Sequence, residues 1–280
     1  MESMRAIGAM AGAAAFLAVL VAPAGARTLR CAADAVKVGT TCVDKYEASV
    51  WQIHPSNTWL VKRVQSGKAT LADLTAAGAV QLGCNFAPYG HAAYPAGFPD
   101  TGNWTAVVGS TPPSPGVFAV SVAGVVPSAC TSWLQAAQAC AASGKRLLTN
   151  EEWQRAAAGT PDPGAADDAF TTCATSSANP VATGSRATCT SSWGAFDMTG
   201  NVWEWAGDWT SNADDCTHWP AGLGDDVSCV GGPGSAFSNL PGVMRRGGSW
   251  NRVTEAGVFA VNASNDPSEP RADTGFRCGR

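Results

Sequence analysis

The chain has 280 residues, a formal net charge of −4, 14% charged residues, 31 Gly and 17 Pro. A mildly acidic chain lacks the basic footprint that phosphate binding requires, so nucleic acid is excluded as an expected partner. Gly and Pro at this density point to one loop-rich domain with few long helices.

Arg5 precedes an apolar stretch from Ala6 to Val21, followed by Ala24-Gly25-Ala26, an A-x-A site for signal peptidase. The stretch is too short, and too rich in Ala and Gly, to favour a membrane anchor. Residues 1–26 therefore read as a signal peptide and 27–280 as the exported domain, secreted or periplasmic, with no integral membrane segment after cleavage. Ala35–Val38 and Thr41–Asp44 flank a Gly39-Thr40 turn and predict a hairpin. Tyr46 to Trp51 continues extended, and Leu71 and Leu74 mark one side of a short helix within 68–77. The segment 83–114 is dense in Gly, Pro, Asn and aromatics, and reads as ordered loop tied down by Cys84. Gly116–Val120 predicts a strand, and the same pentapeptide recurs at Gly257–Val261, which reads as two similar buried strands.

Trp133, Ala136, Ala137 and Cys140 fall at i, i+3, i+4 and i+7, which predicts a helix over Ser132–Ser143 stopped by Gly144. Thr149-Asn150-Glu151-Glu152 is a capping box that opens a second helix, with Trp153, Ala156 and Ala157 inward. The stretch 171–192 is Ser/Thr/Ala-rich and reads as irregular. All ten cysteines lie beyond the leader, and an even count in an exported chain reads as a disulfide framework. Spacing suggests the local bridges Cys31–Cys42, Cys173–Cys189 and Cys216–Cys229, although sequence alone does not fix connectivity.

Three segments together resemble the formylglycine-generating enzymes, also called sulfatase-modifying factors. They are Trp133–Cys140 with Gly144–Trp153, then Gly194–Trp205, then Arg246-Gly247-Gly248-Ser249 with Gly275-Phe276-Arg277-Cys278. Asp44–Ala48 is similar, more weakly, to the family's opening strand. The resemblance implies a compact α+β domain of the formylglycine-generating-enzyme fold, C-type-lectin-like, poor in regular secondary structure and stabilised by disulfides. It also implies a bridge Cys140–Cys278, which leaves Cys84 and Cys130 to pair. It further implies a structural calcium ion held by the side chains of Asp197 and Glu204 and the carbonyls of Gly200 and Val202, hard oxygen donors suited to Ca²⁺.

In that family two cysteines after the Gly-Gly-Ser motif hold copper(I). Here those positions align with Arg252 and Gly257, neither of which is a soft ligand, so copper is not expected. The pocket residues Trp203 and Ser249 remain and read first as core and turn. No H-E-x-x-H, G-x-S-x-G or phosphate-loop motif is present. The pairs Asp167-Asp168, Asp214-Asp215 and Asp225-Asp226 read as solvated charge or loose cation ligands, and His54, His91 and His218 as scattered groups that are solvent-facing or singly hydrogen-bonded. Two functions follow. The preferred one is a non-catalytic ligand-binding or scaffold module for an unidentified protein, small-molecule or glycan ligand. Its face would comprise Trp250, Asn251, Arg252, Glu255, Asn262, Asn265 and Asp266. The alternative is a formylglycine-generating, or related metal-dependent, oxidase acting on a sulfatase cysteine, for which the resemblance is the only support.

Overall fold

The structure is a computed structural model that describes residues 29–111, 113–211, 216–219, 225–229 and 241–280. The expected leader and the pair Asp214-Asp215 lie outside the described residues. Strands β1 (Ala35–Val38) and β2 (Thr41–Asp44) form the expected antiparallel hairpin. Gly39 turns it at φ 60°, a conformation that costs a residue without Cβ nothing. β3 (Ala48–Gln52) follows, and then α1 (Thr58–Gln65), for which the sequence offered no expectation. The Asn57 side chain caps α1 at the Leu60 N–H, and Leu60 and Val64, four residues apart, enter the core. The short expected helix is α2 (Leu71–Ala76), opened by a Thr70/Asp73 capping box. β4 (Val80–Leu82) and β5 (Val117–Ser121) then pair antiparallel on either side of β3.

The two expected helices are α3 (Trp133–Ala142), with a Ser132/Gln135 capping box, and α4 (Asn150–Ala157), with the Thr149/Glu152 box. The two-residue β6 (Arg146–Leu147) links them. α3 packs on β5, and its Ala136, Ala139 and Cys140 join Val50, Ala119, Trp205 and Phe276 in the largest core cluster. Small residues on α3 let the helix approach the sheet closely, which is why an Ala-rich helix is buried here. The stretch 171–192 contains no helix or strand, as expected.

The C-terminal half builds a six-stranded sheet from β7 (Trp203–Thr210), β8 (Thr217–His218), β9 (Val227–Cys229), β10 (Gly242–Arg246), β11 (Val261–Asn265) and β12 (Thr274–Phe276). Its order is β12-β7-β10-β11-β9-β8. The last strand, β13 (Cys278–Gly279), inserts between β2 and β6 and brings the two ends of the domain together. Beneath this junction Lys145 is fully buried with its ammonium 2.7 Å from both Asp34 and Asp44, and Arg280 adds a third ion pair to Asp34 at 3.1 Å. Five disulfides take up all ten cysteines: Cys31–Cys42, Cys84–Cys130, Cys140–Cys278, Cys173–Cys189 and Cys216–Cys229. The α+β, helix-poor, disulfide-stabilised fold is the one expected.

One expected element is corrected. Only the first copy of the repeated pentapeptide is a strand; in the second, Gly257–Ala260 is a turn and β11 begins at Val261. The Gly257 N–H donates to Gly247, the Ala260 N–H reaches Gly257, and the Phe259 N–H is captured by the Asp226 carboxylate at 2.7 Å. These bonds draw the backbone away from the neighbouring strand.

Candidate functional site

β10 runs into Gly247 and Gly248, both left-handed at φ 90° and 80°. A Cβ on Gly248 would lie 2.5 Å from Ala256, so only glycine lets the chain fold back against 256. The loop that follows is fixed at several points. Ser249 is buried and its hydroxyl bonds the Asn251 side chain, while the Arg252 N–H returns to the Ser249 carbonyl. Val253, at φ 52°, opens a 3₁₀ turn over Val253–Glu255, and its N–H is held by the Thr175 carbonyl. The Trp250 N–H donates to Asn201, and the Trp250 carbonyl accepts from Ser177. An open cavity of about 500 Å³ lies against Asn251, Arg252, Val253, Thr254 and Glu255.

The loop carries two kinds of group. The Trp250 ring meets Tyr89 edge to face at 6.3 Å, and Tyr89 meets Phe86, which is 50% exposed, in the same way. Tyr89 and Phe86 belong to the Cys84 loop and were not anticipated as part of this face. The second group is a row of paired charges. Arg252 bonds Glu255 at 3.2 Å and reaches Asp273 at 3.8 Å. Asp273 also takes Arg245 at 3.4 Å and Arg271 at 3.3 Å, and Arg271 bonds Glu269 at 2.8 Å. Burial pushes the Asp273 carboxyl up, but Arg245, Arg271, the Thr274 hydroxyl and Arg252 outweigh it and hold it below the usual range. Burial lowers Arg245 to about 10, still charged at neutral pH, and its guanidinium lies 4.9 Å over the Trp203 ring.

The expected ligand face divides. Trp250, Asn251, Arg252 and Glu255 share the loop, but the other three residues serve the scaffold. Asn262 is buried and bonds Ser264 and the Cys229 sulfur; Asn265 is buried and bonds Glu269; Asp266 caps the turn at Ser268. β11 lies inside the sheet between β10 and β9 and is buried on both faces, so Asn262 and Asn265 are both enclosed, which the loop-like composition of 262–266 concealed.

At the two positions that the resemblance would align with thiols stand Arg252 and Gly257, the latter against a carboxylate. Arg252 is the ion-paired residue just described. Gly257 abuts Asp226: a Cβ built on it would lie 2.1 Å from Oδ1 and 2.3 Å from Oδ2. Asp226 is therefore not the solvated charge that its Asp-Asp sequence suggested, being 1% exposed. Burial raises its carboxyl to about 7, opposed by the Phe259 N–H and reinforced by Asp162. Asp167, expected to be solvated too, instead accepts from the Thr175 and Ser176 N–H groups and the Ser177 hydroxyl. Trp203 is core, packed with Val227, Cys229 and Ala260.

The expected calcium residues lie on the other side of β7. Asp197 and Glu204 are buried together with Glu47 and Arg277. Glu204 pairs with Arg277 at 2.7 Å and accepts the Trp153 indole N–H at 2.8 Å. Glu47 accepts from the Asn201 amide and the Val202 N–H, and Asp197 from the Gly184 N–H. Asn201 and Asp197 hold left-handed backbones at φ 56° and 59°, which Asn and Asp tolerate best after Gly. Burial, then Asp197 and Glu204, raise the Glu47 carboxyl far above its ordinary value despite Arg277. Burial also raises Asp197 to about 6, opposed by the Gly184 N–H and Arg277. Three carboxylates thus face one guanidinium, and such a surplus of hard, negatively charged oxygen suits Ca²⁺. Glu204, however, is already the partner of Arg277, and Glu47 is the carboxylate that sequence reasoning missed. Among the described residues no group of three His, Cys, Asp or Glu could hold a metal ion, so a cation here would need backbone oxygens to complete its shell.

The sulfatase-modifying factor enzyme 1-like domain matches residues 91–280. No curated protein matches the chain. Among solved structures, the chain is similar to the Major Tropism Determinant U1 variant at 23% identity, covering 53% of this chain and 37% of that one, with a TM-score of 0.37. CarF shows 19% identity over 55% of this chain and 67% of its own, with a TM-score of 0.36. PvdO from Pseudomonas aeruginosa shows 18% identity over 86% and 80%, with a TM-score of 0.35. On the domain match over its C-terminal 190 positions, residues 91–280, the chain belongs to the sulfatase-modifying factor family.

Proposed function

We propose that this family member is a binding module and not a thiol-dependent oxidase. One observation carries the reading: the Asp226 carboxylate fills the space that a side chain at 257 would need, 2.1 Å from its Cβ. The ten cysteines are also engaged in five bridges, so no thiol is at hand to replace the missing pair. A guanidinium and a carboxylate are poor ligands for Cu(I), which selects soft sulfur.

The binding face is the loop of Trp250, Asn251, Arg252 and Glu255, extended by Tyr89 and Phe86 on one side and by Asp273 and Arg271 on the other. Ion pairs fix the charged groups in place, which reduces the entropy that binding must overcome. An aromatic flank beside oriented charges suits a polar ligand, a protein segment or a glycan. The calcium ion would sit against Asp197, with the Gly200 and Val202 carbonyls as further ligands, and would neutralise the loop that positions Asn201 and hence Trp250. Five disulfides favour folding in an oxidising compartment. With the leader at 1–26 they support a secreted or periplasmic protein; among the described residues no helix is long and apolar enough to cross a membrane.

A panel of immobilised glycans and peptides tests the face. The wild-type protein is expected to be retained on at least one member, and the Trp250→Ala/Arg252→Ala variant to lose that retention with its melting temperature unchanged. Equal retention of both proteins would refute the site.

A further inference from the structure

The Asp226 carboxylate poses a problem that the binding face does not solve. One oxygen, Oδ2, accepts the Phe259 N–H at 2.7 Å. The other, Oδ1, is buried and has no hydrogen-bond partner among the described residues. A buried carboxylate oxygen without a donor is unfavourable unless a proton or a cation meets it. A second carboxyl, Asp162, interacts with Asp226 side chain to side chain. Asp162 is exposed, and its own Oδ1 accepts only the Gly164 N–H at 3.1 Å. The pair therefore has a buried end and a solvent end.

Among the described residues no cation is hydrogen-bonded to the Asp226 carboxylate, and Arg246 compensates its charge only at a distance. Arg246 is the cation nearest in effect, but its guanidinium lies 4.8 Å over the Trp153 ring and donates to Gln154 and to the Val258 carbonyl at 3.1 Å. The Trp219 N–H is bonded to the Asp226 main-chain carbonyl at 2.8 Å, and the Trp219 indole N–H to Phe259 at 3.0 Å, so neither turns toward the carboxylate.

We propose that Asp226 and Asp162 form a binding site for one hard divalent cation of the Mg²⁺, Mn²⁺ or Ca²⁺ class. Two carboxylates are fewer than a full shell, and the exposed Asp162 end leaves room for water. That is the usual mode for small divalent ions, which keep several waters and take one or two protein carboxylates. The cation would bridge the turn at Pro161–Gly164 to the turn at Gly257–Ala260, and so brace the loop that carries Arg252. The site is separate from the calcium pocket of Asp197 and involves none of its residues.

Terbium(III), a luminescent stand-in for hard cations, tests the proposal on the chelator-stripped full chain. Trp219 is bonded to Asp226 through its backbone and should sensitise an ion bound there. The wild type is expected to show saturable emission at this site. Asp162→Asn, a surface change that leaves the fold intact, should weaken that affinity at least tenfold. Trp219→Phe should lower the emission while competition by Mn²⁺ still reports binding. Emission with the same affinity and stoichiometry in Asp162→Asn as in the wild type, or no saturable emission at all, would overturn the proposal and leave a proton shared by the two carboxyls as the neutralising group.

Discussion

Gly257→Cys restores one family thiol on paper, and the structure says that it will not fit. The Gly257 backbone is not left-handed, so the obstacle is steric and not conformational. The new Cβ would lie 2.1, 2.3 and 2.4 Å from Oδ1, Oδ2 and Cγ of Asp226, closer than real Cβ atoms come to anything. The carboxylate must move, and it then releases the Phe259 N–H that it accepts. Overpacking costs roughly 1–3 kcal/mol, and a hydrogen bond to a charged group is worth about 1.5–3 kcal/mol. Part of the second loss is recovered by solvent, which leaves an expected destabilisation of about 3 kcal/mol for Gly257→Cys. Urea unfolding of the single and double variants measures it. In an Asp226→Ala background the same substitution should cost less than about 1 kcal/mol, a coupling of about 2 kcal/mol between neighbours. A Gly257→Cys protein as stable as wild type, or a cost independent of residue 226, would refute the idea that the carboxylate occupies this space.

Four further outcomes are expected. Replacing both Cys140 and Cys278 with Ala opens a loop of 138 residues, shortened by the two bridges nested inside it, and should lower unfolding stability by about 4–5 kcal/mol on denaturant titration. Arg277→Met strands the buried Glu204 carboxylate and should cost about 3–5 kcal/mol, and Arg277→Met/Glu204→Gln should recover much of it. Burial, with Asp34 beside it and despite Lys145, raises the Asp44 carboxyl from 3.8 to about 6. A raised folded-state value makes its contribution full below pH 3.8 and lost as pH rises through about 6, so Asp44→Asn should flatten the fall in stability over that window. Saturating Ca²⁺, at about a hundred times its dissociation constant, should raise the stability of chelator-stripped protein by about 2.7 kcal/mol, and Asp197→Asn should abolish the gain; no change in melting with Ca²⁺ defeats the calcium site.

What the sequence revealed followed from local chemistry. The Thr149 capping box, the Gly39 turn and the inward faces of α3 and α4 depend on residues a few positions apart, and each is where it was expected; the Ser132/Gln135 box that opens α3 was not anticipated. The helix α1 escaped notice because its cap, Asn57, follows His54-Pro55-Ser56, a stretch that reads as turn, and only Leu60 and Val64 mark its inner face. The site was legible at its frame and opaque in its interior. Gly247, Gly248 and Ser249 announced a tight turn, and Trp250 to Arg252 do share a loop. Asn262, Asn265 and Asp266 engage the scaffold instead because amides and acids in sequence do not reveal that 261–265 is an interior strand buried on both faces and followed by a turn that Asp266 caps. Asp226 was misread for the opposite reason. Its Asp-Asp context suggests solvent, and only a contact across 31 positions, with Gly257, shows that it is buried. Glu47 likewise gains meaning only from Asn201 and Val202, far along the chain.

The central claim is that the family's thiol chemistry has been replaced by a binding surface, and turnover tests it most directly. Purified protein is incubated with copper, oxygen and a Cys-x-Pro-x-Arg peptide, and the peptide is followed by mass spectrometry. No formylglycine above the protein-free control is the result expected from a pocket that holds Arg252 and Asp226 where the thiols would be. Formylglycine formed in proportion to protein concentration would contradict it.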